Sequence, residues 1–161
     1  MIVVPPIFEL GSVSIADSGV PNQERIIFRP TEPINLGVCG VMIALRRSDG
    51  NYVPVNDEFF WFGDVEVAPP SWVLVYTGKG EYTVGRQPET GHLIYSYHWG
   101  KAHTFFNYQD IVPVVFRMSG ILVGGASQAA TNPPPRFSSR LGAELLKDRQ
   151  EQQARPQLMQ I

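Results

Sequence analysis

The chain has 161 residues, 43% of them apolar and 17% charged, with nine Phe, six Tyr and three Trp. That is long enough for one domain with a real core and rich enough in apolar side chains to offset the entropy of ordering it. Thirteen Lys and Arg against 15 Asp and Glu leave a formal charge of −2. No basic run offers the electrostatic stripe that duplex nucleic acid or an anionic membrane attracts, so neither is expected as a partner.

The first segment, Met1 to Leu10, lacks the basic stretch and uninterrupted apolar core of a signal peptide, and no stretch is long enough to read as a membrane-spanning helix. The expected setting is cytoplasmic. Cys39 is the sole cysteine, between Val38 and Gly40 in an apolar stretch, and reads as a buried, inert thiol.

Apolar residues alternate with period two through most of the chain, and helical spacing is scarce before Arg136. The predicted strands run from Ile2 to Leu10, broken by Pro5 and Pro6 and therefore at an edge, and from Glu24 to Arg29. Val41 to Arg46 follows, with Val41, Ile43 and Leu45 on one face, then a hairpin turn at Ser48-Asp49-Gly50-Asn51 and a strand from Tyr52 to Val55. Phe59-Phe60-Trp61-Phe62 reads as a strand or a wide aromatic turn in the core. Trp72 to Thr77 is the clearest strand, its β-branched and aromatic residues suited to a buried pleated surface. Leu93, Tyr95, Tyr97 and Trp99 share one face of the next strand, and Ile111 to Phe116 and Ile121 to Val123 complete the set.

Short strands separated by turn residues at this spacing predict an all-β, antiparallel immunoglobulin-like β-sandwich over residues 1–123. A Gly/Ala/Pro-rich linker occupies 124–136, ending in Pro133-Pro134-Pro135. A tail, 137–161, carries a short amphipathic helix with Leu141, Leu145 and Leu146 on one stripe. A helix of about 15 residues is marginal alone in water, so this stripe is a candidate partner-binding element.

From about Arg25 to Gly124 the order of features resembles the lamin-tail domain, bacterial type. The carrying residues are Ile34-Asn35-Leu36-Gly37 before the strand Val41 to Leu45, Val67-Ala68-Pro69-Pro70 before Trp72 to Gly80, Tyr97-His98-Trp99-Gly100, Asp110 to Val115, and Ser119 to Val123. Two departures stand against it. Phe105-Phe106-Asn107-Tyr108-Gln109 replaces a Trp-Asn segment, and Pro69-Pro70-Ser71 replaces a proline-glycine. The resemblance implies a non-catalytic interaction domain with no fixed active site.

Most of the reactive side chains have a plain structural role. His98 and His103 can approach across the turn at Gly100-Lys101, with Asp110 or Glu81 as a carboxylate, and form the weak metal candidate. His92 and His98 share a strand face but lie about 20 Å apart, too far for one ion. Asp57, Glu58, Asp64 and Glu66 flank the aromatic run and read as a solvated turn before an acid–base pair. Tyr95, Tyr97 and Trp99 read as core, with a stacking platform for single-stranded nucleic acid or carbohydrate as the lesser alternative. No nucleophile elbow, phosphate loop or dinucleotide fingerprint occurs, and no cofactor is expected.

The sequence thus favours a non-enzymatic protein-binding or assembly module whose partner is another protein or a second copy. The alternatives are a structural subunit of a phage-like or other large particle, and a metal-dependent hydrolase using His98, His103 and Asp110.

Overall fold

Alternation of apolar residues translates directly into strands in the computed structural model, which describes residues 6–122 and 124. The chain divides into two units, Met1–Ile121 and Leu122–Ile161, and the strands among the described residues lie in the first. The strands are β1 (Ser14–Ala16), β2 (Arg25–Phe28), β3 (Ile34–Asn35), β4 (Cys39–Arg46), β5 (Tyr52–Trp61), β6 (Glu66–Val67), β7 (Ser71–Tyr76), β8 (Thr83–Arg86), β9 (Leu93–His98) and β10 (Ile111–Arg117). The protein is all-β. One 3₁₀ turn, Leu36–Val38, is capped by Asn35, whose side chain accepts from the Gly37 N–H at 2.7 Å.

The strands form a five-stranded sheet in the order β1-β2-β7-β9-β8, a three-stranded sheet β10-β4-β5 and the short pair β3-β6. All ladders are antiparallel except β7 with β9, which is parallel. The expected purely antiparallel arrangement is therefore corrected to a mixed one. Between β7 and β9 the chain makes β8, which pairs on the far side of β9, so β9 enters beside β7 running in the same direction.

Residues from both larger sheets fill one core. Ile26 and Phe28 of β2 and Val73 and Val75 of β7 come from one sheet, and Cys39, Val41 and Ile43 of β4 from the other. Leu36, Phe62, Val67, Tyr97 and Phe106 close it. Phe60 and Phe62 meet Tyr97 edge-on at 5.9 and 5.1 Å between ring centres, joining the end of β5 to β9. Two sheets sharing one core fit a β-sandwich.

Several boundaries differ from expectation. The strand at Tyr52 does not stop at Val55 but continues to Trp61, through a bulge in which the register jumps from Ala44↔Pro54 to Met42↔Phe59. Four residues, Val55 to Glu58, thus stand opposite Ile43 alone, and Asp57 takes a left-handed φ of 62° to allow it. Of the four carboxylates that read as a solvated turn, Asp57 and Glu58 lie in this bulge, Asp64 follows β5 and Glu66 begins β6. Ile121 and Leu122 form no strand and are exposed. Of the strand expected at Ile2 to Leu10, residues 1–5 lie outside the described residues, and Leu10 makes only an isolated bridge to Pro30. Nearly all of the linker and the whole tail, with Leu141, Leu145 and Leu146, lie outside them too.

Candidate functional site

In the antiparallel ladders of β4, directly opposed residues share a face, so pairing assigns each side chain of the three-stranded sheet to the core or to the outside. Val41 pairs with Val115 and Phe60, and this row faces the core. The alternate rows face outward: Phe116, Gly40 and Trp61; Val114, Met42 and Phe59; Val112, Ala44 and Pro54. All nine are apolar or glycine, in a position where an exposed face is ordinarily polar. Tyr52, opposite Arg46, extends the same face to its hairpin end.

The β5 side of this face is exposed, whereas Gly40 and Ala44 on it are buried. Phe59 and Trp61 are each 49% exposed and Tyr52 57%. The Trp61 indole N–H donates to the Gly37 carbonyl at 2.7 Å, which fixes the ring at the strand end. Phe116 crosses the sheet to meet Phe59 at 5.4 Å between centres, and its path runs over position 40, where any Cβ would stand 2.5 Å from the ring. Glycine is required there by the crossing phenyl ring. The bulge of β5 is tethered from the other side, where Lys101 Nζ stands 2.5 Å from Glu58 Oε2.

The groups most able to do chemistry are otherwise engaged. Glu24 is fully buried, and its carboxylate accepts three backbone N–H bonds: from Gly19 at 2.8 Å and Phe106 at 3.0 Å to Oε2, and from Phe105 at 2.7 Å to Oε1. It laces the loop before β2 to the loop after β9 and has no aspect toward solvent. Nothing in the sequence distinguishes it from a surface acid at the head of a strand. Cys39 is buried, and desolvation pushes its thiol above the ordinary value of 9.0, against a smaller opposing effect of Arg117. It is held as an unreactive thiol. Burial, with a smaller contribution from neighbouring Tyr82, likewise raises the Tyr97 phenol, whose hydroxyl has no hydrogen-bond partner among the described residues.

The histidines do not assemble. His98 stacks on Tyr76, with ring centres 4.9 Å apart and planes 11° from parallel, and packs against Gly80. His103 meets the edge of Phe105. Asp110 instead leads into β10, its carbonyl accepting from the Arg46 N–H at 2.7 Å. Among the described residues, no three His, Cys, Asp or Glu side chains lie close enough to hold a metal ion.

A cleft of about 630 Å³ lies between the β6–β7 connection and the start of β9, with Glu66, Arg86, His92 and Tyr95 around Pro69 and Pro70. Its Thr90 hydroxyl donates to Gln87 Oε1 at 2.9 Å and accepts from the His92 N–H, which makes it part of the turn. Among the described residues, no helix is long and apolar enough to cross a membrane.

The arrangement is one of two sheets around a common core, with a large apolar outer face on the smaller. No family model matches the chain, and no curated protein or solved structure matches it.

Proposed function

We propose that the chain is a non-enzymatic protein-binding module that receives its partner on the outer face of the β10-β4-β5 sheet. The observation that carries this reading is the run of apolar residues on that face, with Phe59 and Trp61 about half exposed and Tyr52 beyond them beside Arg46. Contiguous exposed apolar patches mark interaction sites on soluble domains, and aromatic anchors supply most of the binding energy where they occur. The fold in this reading is an immunoglobulin-like sandwich of the lamin-tail kind, supported by two sheets around one core. The parallel β7–β9 ladder is a departure from the antiparallel sheets of that fold. The tail, with Leu141, Leu145 and Leu146, is a second contact for the partner, and the buried thiol of Cys39 suits a reducing, cytoplasmic setting.

Phe59→Glu and Tyr52→Glu each place a charge on the face without touching the core. Affinity capture from the native host should lose the partner at least tenfold with either variant, at unchanged circular dichroism. Full retention with both would sink the reading. Where the captured species is a large particle of this chain alone, by light scattering, the same face serves a structural subunit instead.

A further inference from the structure

Arg29 directly follows β2, and its guanidinium stands over the Trp72 indole, 5.7 Å from the ring centre. Its backbone is fixed by the Gly11 N–H, which donates to the Arg29 carbonyl at 2.9 Å. The other described arginines each find an acceptor: Arg25 on Asp17, Arg46 on the Gln109 carbonyl, Arg47 beside Asp49, Arg86 on the Gly91 carbonyl and Arg117 on Glu9. Among the described residues the Arg29 guanidinium has none. A guanidinium is planar, always charged and carries its donors in a fixed fork, so one held over an aromatic ring without an acceptor is a prepared receptor for an anion.

Arg29 borders a cavity of about 300 Å³ that has Pro30, Pro69, Pro70 and Trp72 in its walls and joins the 630 Å³ cleft at Pro69, Pro70 and His92. The two hydroxyls in its lining donate elsewhere, Ser71 to the Ala68 carbonyl at 2.7 Å and Thr31 to the Phe8 carbonyl at 2.8 Å. The ionic residues around both cavities are Arg29 and Arg86 against Glu66, which leaves a single positive charge in excess. That balance suits a monoanion better than a phosphate dianion, and a lone guanidinium fork matches a carboxylate bidentately. The volume is at the low end for ligand pockets, the size of a small acid and not of a peptide segment. We propose that this cavity binds a small organic carboxylate, its charged end paired with Arg29 and its apolar ring or chain set against Trp72 and the prolines, toward His92. The cavity is built on other elements than the β10-β4-β5 face, so each of the two sites stands or falls alone.

Benzoate titrated into the full-length protein tests this, followed by nuclear magnetic resonance of the Trp72 indole N–H and the Arg29 side-chain N–H. A ligand of this size binding with ordinary efficiency has a dissociation constant of about 1 mM, and both signals should shift and saturate on that scale. Benzamide, of the same shape without the charge, should bind at least about tenfold more weakly. Arg29→Gln should weaken benzoate at least about tenfold at unchanged circular dichroism, and Arg29→Lys, which keeps the charge without the fork, should fall between the two. No saturable shift with benzoate up to about 20 mM, or an equal response to benzamide, would overturn the proposal. Tighter binding of inorganic phosphate would overturn it by giving the cavity to a phosphorylated ligand. Tighter binding of N-acetylaspartate amide would overturn it by giving the cavity to an acidic side chain of a protein.

Discussion

Replacing Glu24 tests whether a buried charge holds this fold together. Its two carboxylate oxygens take three backbone N–H bonds from segments up to 82 residues distant in sequence, and none of the acid is exposed. Glutamine has nearly the same shape, but only one of its two terminal atoms accepts. If its oxygen takes the place of Oε2, serving Gly19 and Phe106, its amide N–H₂ faces the Phe105 N–H, donor against donor. One buried donor is then orphaned and two bonds lose their charge assistance, a cost of about 2–3 kcal/mol. Alanine orphans all three donors and leaves a void, for about 4–6 kcal/mol. With a urea slope of about 1.5 kcal/mol per molar for a domain of this size, Glu24→Gln should lower the unfolding midpoint by about 1.5 M. The Phe105 amide should also exchange faster than its neighbours. A glutamine variant within about 0.5 kcal/mol of the parent would refute the reasoning, because it would mean that water or a loop shift replaces the lost acceptor.

Two further outcomes follow from the buried hydroxyl and thiol. Tyr97→Phe removes a polar atom that has no partner and keeps the ring contacts with Phe60 and Phe62, so stability should be unchanged or gain up to about 1 kcal/mol in urea unfolding. A loss above about 1 kcal/mol would show that the hydroxyl has a partner, through water or otherwise. Cys39 holds its proton to higher pH in the folded state than the ordinary value of 9.0, so the unfolded chain loses a proton first as the solution is made alkaline. Stability from this group is complete below about pH 9 and declines above it. Urea midpoints between pH 8 and 10 should fall more steeply for the parent than for Cys39→Ala, and equal slopes would remove the thiol from the account.

How much of this was legible beforehand depends on the strand. β7 and β9 declare themselves because their alternation is aromatic or β-branched throughout, and the β4–β5 hairpin because Asp49-Gly50 supplies the turn, with Gly50 at φ 82°. β8, Thr83 to Arg86, is fully exposed and carries no apolar stripe, so nothing marks it until β9 lies beside it. The two-residue strands β3 and β6 are shorter than any periodicity. In β5, Asn56-Asp57-Glu58 has the composition of a turn, and only the pairing on either side shows it to be a bulge within one strand.

The apolar outer face is half visible in the sequence. The alternation of Val112, Val114 and Phe116 against Ile111, Pro113 and Val115 is apolar on both sides, so periodicity cannot say which set is inside. That decision comes from Val41 and Phe60 meeting the other sheet. Glu24 gave no signal, because its donors come from loops whose approach is a tertiary event.

The bulge at Val55 to Glu58 also changes what the free edge of β5 offers to another strand. A flat outer strand with Tyr, Phe and Trp along it would be a template on which copies stack without end. Four residues opposite Ile43 alone, three more than a regular ladder has, break the row of backbone donors and acceptors in the middle of β5, and Asp57 places a carboxylate there. An added strand on this side finds no continuous backbone to pair with. Phe59 and Trp61 thus stand exposed beside an edge whose backbone pattern is broken, which disfavours strand-on-strand stacking.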